Sequence, residues 1–177
     1  QDNIKNPIVS DQFEPGSVLK LITMAAALDS GTVTPESSYY DTGELFVGGH
    51  RTVNWTRLAH GDVDMTTLLA QSLNVGAATL VLWMGTDTYY DYMQRFGFGQ
   101  QTGIDVTAEA TGQMPLPGEP QWEESFLATN AYGQSLGVTP LQMATMMAAV
   151  ANGGYRAIPH VARQGSRPVE AHGLFRV

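Results

Sequence analysis

The stretch F-E-P-G-S-V-L-K-L-I-T-M-A-A-A-L at residues 13–28 constrains the fold of this chain more than any other part of it. Pro15 suits a first helical turn, where its missing N–H would have no partner anyway, and Asp29-Ser30-Gly31 supplies an end. We therefore predict a helix over Pro15–Leu28. The segment is otherwise almost entirely apolar, yet it contains Lys20, one of only two lysines in 177 residues. A buried lysine is costly unless something uses or pairs its amine.

Ser17 lies three residues before Lys20, so the two side chains share one face of the predicted helix, one turn apart. A serine hydroxyl needs a neighbouring base to become a nucleophile. Apolar surroundings lower the pKa of a lysine, which allows the neutral amine to act as that base. Backbone N–H groups at a helix N-terminus can also stabilise an oxyanion. The alternative is that Ser17 only caps the helix and that Lys20 extends its amine to solvent.

A second polar pair, Ser72 and Asn74, occurs in the sequence S-L-N between two apolar helices. We predict these helices over roughly Met65–Gln71, with Asp64 as N-cap, and Val75–Met84. A hydroxyl and a carboxamide on such a short connection can bind a substrate and a nearby lysine. The alternative is again capping, because both side chains can satisfy unpaired backbone groups at helix ends.

The remaining pattern is that of a folded α+β body. A small hairpin is expected within residues 37–57 around Gly48-Gly49, and the glycine-rich and proline-rich stretches 96–106 and 113–120 are predicted loops. Two further helices are predicted over Thr86–Phe96 and from Thr139-Pro140 to about Ala151. The large apolar side chains expected in the core include Trp55, Trp83, Met143, Met146 and Met147.

Composition excludes several classes of function. The net charge of −8 argues against nucleic acid or an anionic membrane surface as a partner. The chain has no cysteine, so it has neither disulfides nor thiolate chemistry. The apolar runs are too short to span a membrane. Because His50, His60, His160 and His172 lack metal-ligand spacing, we expect no metal and no cofactor.

Four stretches, taken in order, resemble a known family. E-P-G-S-V-L-K at 14–20 and S-L-N-V-G-A-A at 72–78 are similar to the Ser-x-x-Lys and Ser-x-Asn motifs of penicillin-binding proteins and serine β-lactamases. F-G-F-G-Q-Q-T-G-I-D-V at 96–106 and Y-G-Q-S-L-G-V-T-P-L-Q-M-A at 132–144, with A-N-G-G soon after, resemble the transpeptidase domain of monofunctional (class B) penicillin-binding proteins rather than β-lactamases. The resemblance covers most of residues 7–161.

The resemblance implies a role for each motif residue. Ser17 would be the acylated nucleophile, its peptide N–H would form half of the oxyanion hole, and Lys20 would be the general base. Ser72 would relay protons between the leaving group and Lys20, and Asn74 would hold the acyl-side amide of the substrate. The glycine-rich and Thr-Pro-Leu-Gln stretches would be architectural.

One family motif is missing. A Lys-Thr-Gly or Lys-Ser-Gly strand normally lines the cleft, but the only lysines here are Lys5 and Lys20. We therefore expect residues 1–177 to be a partial transpeptidase domain that lacks this strand and the N-terminal strand of the same sheet. The expected fold is α+β, the mainly helical portion of the penicillin-binding transpeptidase and serine β-lactamase-like fold, with the main sheet largely missing.

The function implied by the resemblance is peptidoglycan D,D-transpeptidation, with stem peptides and β-lactams as partners. The parent protein would be extracytoplasmic and anchored in the cell membrane outside this chain, and the chain itself should react weakly and self-associate through uncovered apolar faces. Two alternatives stay open: a D,D-carboxypeptidase or β-lactamase-like hydrolase, which passes the acyl group to water, and a non-catalytic scaffold or sensor module.

Overall fold

The structure, a computed structural model, describes residues 5–162 and 171–174. Its helices are α1 (Pro7–Ser10), α2 (Lys20–Asp29), α3 (Met65–Ala70), α4 (Asn74–Met84), α5 (Thr86–Phe96), α6 (Glu124–Asn130) and α7 (Pro140–Ala151). Its strands are β1 (Ser38–Asp41), β2 (Glu44–Val47), β3 (His50–Val53), β4 (Gly61–Asp64), β5 (Tyr155–Ala157) and β6 (Ala171–Gly173). The α+β fold class is confirmed.

The chain divides into two compact units. The unit that we call the motif unit consists of Pro15–Asp91 and Pro115–Ser135 and contains both predicted motifs. The other, the flanking unit, consists of Gln1–Glu14, Tyr92–Met114 and Leu136–Val177.

Helix α4 lies at the centre of the motif unit, where it packs against α2, α6 and the hairpin strands. It is apolar on most sides, which is typical of a buried helix. Gly76 allows α3 to approach it closely, because a Cβ at this position would lie 2.6 Å from Leu68 Cδ1 and 2.5 Å from the Tyr39 hydroxyl. The absent side chain therefore sets the spacing of the helices that flank the Ser72–Asn74 turn.

The strands of the motif unit pair differently from the predicted arrangement in one respect. Strands β2 and β3 form the expected antiparallel hairpin, with Gly48 and Gly49 in the turn at φ 54° and 78°. Strand β1, which lies in the same predicted hairpin region, instead pairs with β4, and this pairing was not predicted. Tyr39 and Val63 face each other in this pair and are both buried, so burial of these side chains outweighs the polar sequence of β4.

The predicted helix over Pro15–Leu28 is confirmed with a different first turn. Residues Gly16–Leu19 form a 3₁₀ turn, and the α-helix begins at Lys20. Gly16 has a φ of 59°, which an α-helix of L-residues does not allow, so the helix cannot extend back to Pro15.

The other predicted helices are confirmed within one or two residues. Asp64 caps α3 by accepting a hydrogen bond from Thr67 N at 2.7 Å. Besides the β1–β4 pair, the short helices α1 and α6 and the strand pair β5–β6 were not predicted. Segments of three to seven residues contain too few periods to show a clear apolar pattern.

The expected burial of Trp55 and Trp83 was wrong. Their side chains are 75% and 49% exposed, respectively. Trp55 follows the last residues of β3 in a turn, and Trp83 lies on the solvent-facing side of α4, whose Val81 and Met84 are buried instead. The apolar pattern of α4 therefore could not identify its exposed side.

The flanking unit is organised around α7. Thr139 and Gln142 form a capping box at its start. The Gln142 side chain also donates to Gln100 O at 2.6 Å and Thr111 O at 2.7 Å, which ties the predicted glycine-rich loop to the helix. Across the ranges described, no helix is long and apolar enough to cross a membrane.

Candidate active site

The amine of Lys20 joins the two predicted motifs. Its Nζ lies 3.0 Å from Ser17 Oγ, 2.9 Å from Ser72 Oγ and 2.7 Å from the Ser72 carbonyl oxygen. The carbonyl oxygen can only accept a hydrogen bond, so it takes one N–H of the amine. Either hydroxyl can donate or accept, which leaves the amine able to give or receive a proton on both sides.

The Lys20 side chain is buried, with only 3% of its surface exposed. Desolvation lowers the pKa of Lys20 from 10.5 to about 8. The ion pairs of Lys5 with Asp11 and of Arg51 with Glu44 do not include Lys20. A buried lysine held by neutral oxygens can lose its proton far more readily than one paired with a carboxylate.

Ser17 is exposed in the 3₁₀ turn before α2, so its hydroxyl is open to a substrate while the lysine behind it is covered. The backbone before Ser17 is held by the chain around Gly133. Gly16 N donates to Gly133 O at 2.9 Å, and a Cβ on Gly133 would lie only 2.2 Å from Gly16 O. The close approach of two backbones therefore fixes the turn that carries Ser17.

Ser72 has a left-handed backbone with a φ of 54°, at the C-terminal end of α3. Its N–H donates to Leu69 O, and Leu73 N donates to Leu68 O, as in a helix end that glycine usually occupies. A serine in this conformation is strained by roughly 1–2 kcal/mol. Such strain persists only where the surroundings determine the conformation, as the Lys20 contact with the Ser72 carbonyl does here.

Asn74 is the first residue of α4 and is half-buried. Its Nδ2 donates to Val53 O at 3.0 Å, so the carboxamide is bound to the end of β3 rather than to Lys20. The predicted convergence of Ser17, Lys20 and Ser72 is thus confirmed, and Asn74 lies beside them with a backbone partner that was not predicted. The catalytic roles of all four residues stay predictions.

The sequence patterns do not identify two of the supporting residues, Gly133 and Val53. Gly133 belongs to the stretch 132–144, for which the resemblance implies an architectural role, and its Y-G-Q sequence is the available signal. Val53 acts through its carbonyl oxygen, which no sequence pattern can reveal.

As for a metal, no cluster of three or more acidic or histidine side chains suited to one occurs in residues 5–162 and 171–174.

The family model of the penicillin-binding protein transpeptidase domain matches residues 1–173. This chain belongs to that family.

Individual relatives of this transpeptidase-family chain agree with the family model. Stage V sporulation protein D of Bacillus subtilis is 37% identical over 167 residues, which cover 93% of this chain and 25% of the relative. Peptidoglycan D,D-transpeptidase FtsI of Escherichia coli is 32% identical over 159 residues, or 89% of this chain and 26% of the relative. The chain therefore spans about a quarter of the length of these curated relatives.

A solved transpeptidase-family structure has the same fold. The crystal structure of penicillin-binding protein 3 from Mycobacterium tuberculosis, complexed with aztreonam, matches with a TM-score of 0.85 and 31% identity. The match covers 97% of this chain and 40% of that one. The predicted penicillin-binding transpeptidase fold is thereby confirmed.

The approach of Gly133 to Gly16 predicts a large effect of one methyl group. Gly133→Ala should lower the free energy of unfolding by roughly 1–3 kcal/mol for overpacking, in addition to the cost of a positive φ. Gly31→Ala is a matched control, because Gly31 also has a positive φ of 70° but no heavy atom within 4 Å of its ideal Cβ. Urea unfolding of both variants measures the difference, and equal losses would contradict the steric account.

Proposed function

We propose that this chain carries the acylation machinery of a serine D,D-transpeptidase that cross-links peptidoglycan stem peptides. The observation that carries the proposal is the position of Lys20 Nζ, within 3.0 Å of the hydroxyl oxygens of Ser17 and Ser72. The relative named peptidoglycan D,D-transpeptidase supports the reaction class. The name of this relative also favours an amine over water as the acyl acceptor. We therefore prefer a transpeptidase to a carboxypeptidase or a non-catalytic module.

Each motif residue has a proposed role that fits its surroundings. Ser17 Oγ attacks the carbonyl carbon of the penultimate D-alanine while its proton passes to the neutral amine of Lys20. The backbone N–H of Ser17 stabilises the oxyanion that forms. The peptide bond then breaks, and Ser72 passes the proton from Lys20 to the leaving D-alanine. Asn74, fixed by Val53, binds the acyl-side amide. The amine of a second stem peptide then attacks the ester carbonyl, the bond to Ser17 Oγ breaks, and the proton lost by the amine returns to Ser17 Oγ through Lys20.

The same site would react with β-lactams through Ser17, because a β-lactam presents an amide carbonyl to the serine in the same way. The similar structure that holds aztreonam supports this proposal. Peptidoglycan is assembled outside the cytoplasm, so we place the protein there, with a membrane anchor outside residues 1–177.

The pKa of Lys20 predicts how acylation depends on pH. With a pKa of about 8, roughly one amine in ten is neutral at pH 7, and the neutral form is the base. The rate constant for acylation of Ser17 by fluorescent penicillin should therefore rise about tenfold per pH unit below pH 8 and level off above it. The measurement uses the full-length protein between pH 6 and 9.

Two variants test whether this profile belongs to the proposed site. Lys20→Arg keeps the hydrogen-bond donors but cannot deprotonate, so it should lose acylation at every pH. Ser17→Ala should remove labelling altogether. A flat profile between pH 6 and 9 in the wild type would exclude a Lys20 base with a pKa near 8, and full activity of Lys20→Arg would exclude Lys20 as the base at any pKa.

The missing Lys-Thr-Gly motif predicts weak reaction of the 177-residue chain on its own. In the family this strand binds the substrate carboxylate and completes the oxyanion hole, and loss of one oxyanion donor typically costs about 10²–10³ in rate. Labelling by fluorescent penicillin should be much slower for residues 1–177 than for the full-length protein, with Ser17→Ala as the background in each. Equally fast, Ser17-dependent labelling of both would show that the motif is dispensable.

Self-association of the 177-residue chain is predicted from an apolar stripe. Val18, Leu21 and Leu28 lie at intervals of three and seven residues along one side of α2 and its first turn, and are 48%, 42% and 38% exposed. Sedimentation velocity at tens of micromolar, a rough range in which modest interfaces form, should show a dimer or larger species. Replacing Leu21 and Leu28 by Glu should give a monomer, whereas Leu58→Glu, at a 63% exposed leucine outside the stripe, should not. A monomeric wild type would contradict the prediction.

A further inference from the structure

A buried polar pair, Asp41 and Asn54, lies beneath the turn that carries Ser72 and Asn74. Both side chains are fully buried, with 0% of their surface exposed. Asn54 Nδ2 donates to both carboxylate oxygens of Asp41, at 3.1 and 2.8 Å. Gly43 N at 2.6 Å and the Tyr39 hydroxyl at 3.2 Å also donate to this carboxylate. Removing a carboxylate from water is expensive, so a buried carboxylate needs several donors such as these to compensate for the lost water.

The second end of Asn54 reaches the start of helix α4. Its Oδ1 accepts a hydrogen bond from Val75 N at 3.1 Å. Val75 is the second residue of α4, and the N-cap of this helix, Leu73, has no side chain that could satisfy that N–H. Asn54 therefore supplies from a neighbouring segment the cap that the local sequence lacks.

The carboxylate of Asp41 determines which way the Asn54 amide points. An ionised carboxylate only accepts hydrogen bonds, so it selects the NH₂ group of Asn54 and leaves the carbonyl oxygen to face Val75 N. The preceding residue, Val53, meanwhile accepts from Asn74 Nδ2. Two consecutive residues thus hold the backbone and the side chain at the beginning of α4.

We infer that Asp41 and Asn54 are positioning residues for acyl transfer, which hold Ser72 and Asn74 in place through the first turn of α4. This inference rests on the proposed function of the site. Ser72 is strained, and a relaxed turn would carry its hydroxyl away from Lys20. A misplacement of about 1 Å at a reacting group can cost roughly 10²-fold in rate.

The test exchanges donor and acceptor within the pair. In Asp41→Asn, the new amide that accepts from Gly43 N turns its NH₂ toward the NH₂ of Asn54. Rotation of Asn54 would relieve this clash only by placing its NH₂ against Val75 N–H, so one contact is lost in either case. In Asp41→Asn combined with Asn54→Asp, the Asn at 41 donates to the Asp at 54, whose second oxygen accepts from Val75 N. Recovery of the acylation rate should be partial, because Leu58 O loses its donor, the Asn54 Nδ2 that lies 3.3 Å away.

The matched control is Thr52→Val. Thr52 is buried two residues before Asn54 and bonds the Tyr132 hydroxyl at 3.2 Å, so its replacement also removes a buried polar contact from this region. The acylation rate constant of Ser17 with fluorescent penicillin is measured in the full-length protein for all variants. Hydrogen exchange of the Val75 N–H is measured in parallel as a readout that does not require activity.

We expect Asp41→Asn to slow acylation by roughly 10–100-fold and to speed exchange at Val75, and the double variant to recover much of both. Thr52→Val should acylate near the wild-type rate. Equal acylation rates in Asp41→Asn and Thr52→Val, or a double variant no better than the single one, would overturn the inference. A wild type without Ser17-dependent acylation would instead overturn the proposed function, and the positioning role with it. If Asp41→Asn does not fold, Asn54→Ser, which introduces no opposing donors, takes its place with the same expected loss.

Discussion

The hydrogen bonds of one buried amine hold together two turns that are distant in the sequence. Lys20 contacts both the hydroxyl and the carbonyl oxygen of Ser72, 52 residues away. Burial opposes the protonated form of this amine. Between about pH 8 and 10.5, therefore, Lys20 is mostly neutral in the folded chain and mostly protonated in the unfolded chain, and the free energy of unfolding rises as pH rises through this interval. The same desolvation that makes protonated Lys20 costly leaves part of its amine neutral near pH 7, as the proposed base requires, so stability and the proposed reactivity are opposed at this residue.

The surroundings of Lys20 explain how the oxygens stay in place. Ser72, and Gly16 just before Ser17, have left-handed backbones, a conformation that local sequence alone does not maintain for a serine. Gly16 is held by Gly133, and the turn after Ser72 is held by Asn54. Gly133 belongs to one of the stretches that resemble the family and acts through its backbone, whereas Asn54 lies outside those stretches and acts through its side chain on the backbone N–H of Val75. The two motifs thus contain the proposed reacting groups, and other segments supply their geometry.

This division accounts for what could be predicted from the sequence. The spacing of Ser17 and Lys20 on one helix is fixed by helix geometry, and a lysine in an apolar helix has few ways to be satisfied, so their contact was predictable. Thr139 and Asp64 are N-cap residues, so the starts of their helices were predictable as well. The pairing of β1 with β4 and the contacts of Asn54 join residues far apart in sequence, and no local pattern encodes them. The predicted burial of Trp55 and Trp83 was wrong for a related reason, because hydrophobicity does not specify which face of an element another segment will cover.

The contacts of Lys20 also limit what this amine can do for a substrate. A protonated lysine has three N–H groups, and here three oxygens already stand within 3.0 Å of Nζ. Lys20 can exchange a proton with either serine without moving, but it has no N–H left to bind the terminal carboxylate of a stem peptide. With a net charge of −8, the rest of the chain does not favour an anion either. Proton transfer and carboxylate binding therefore require two different basic side chains, and for this reason we expect the proposed reaction to depend on the Lys-Thr-Gly motif that these 177 residues do not contain.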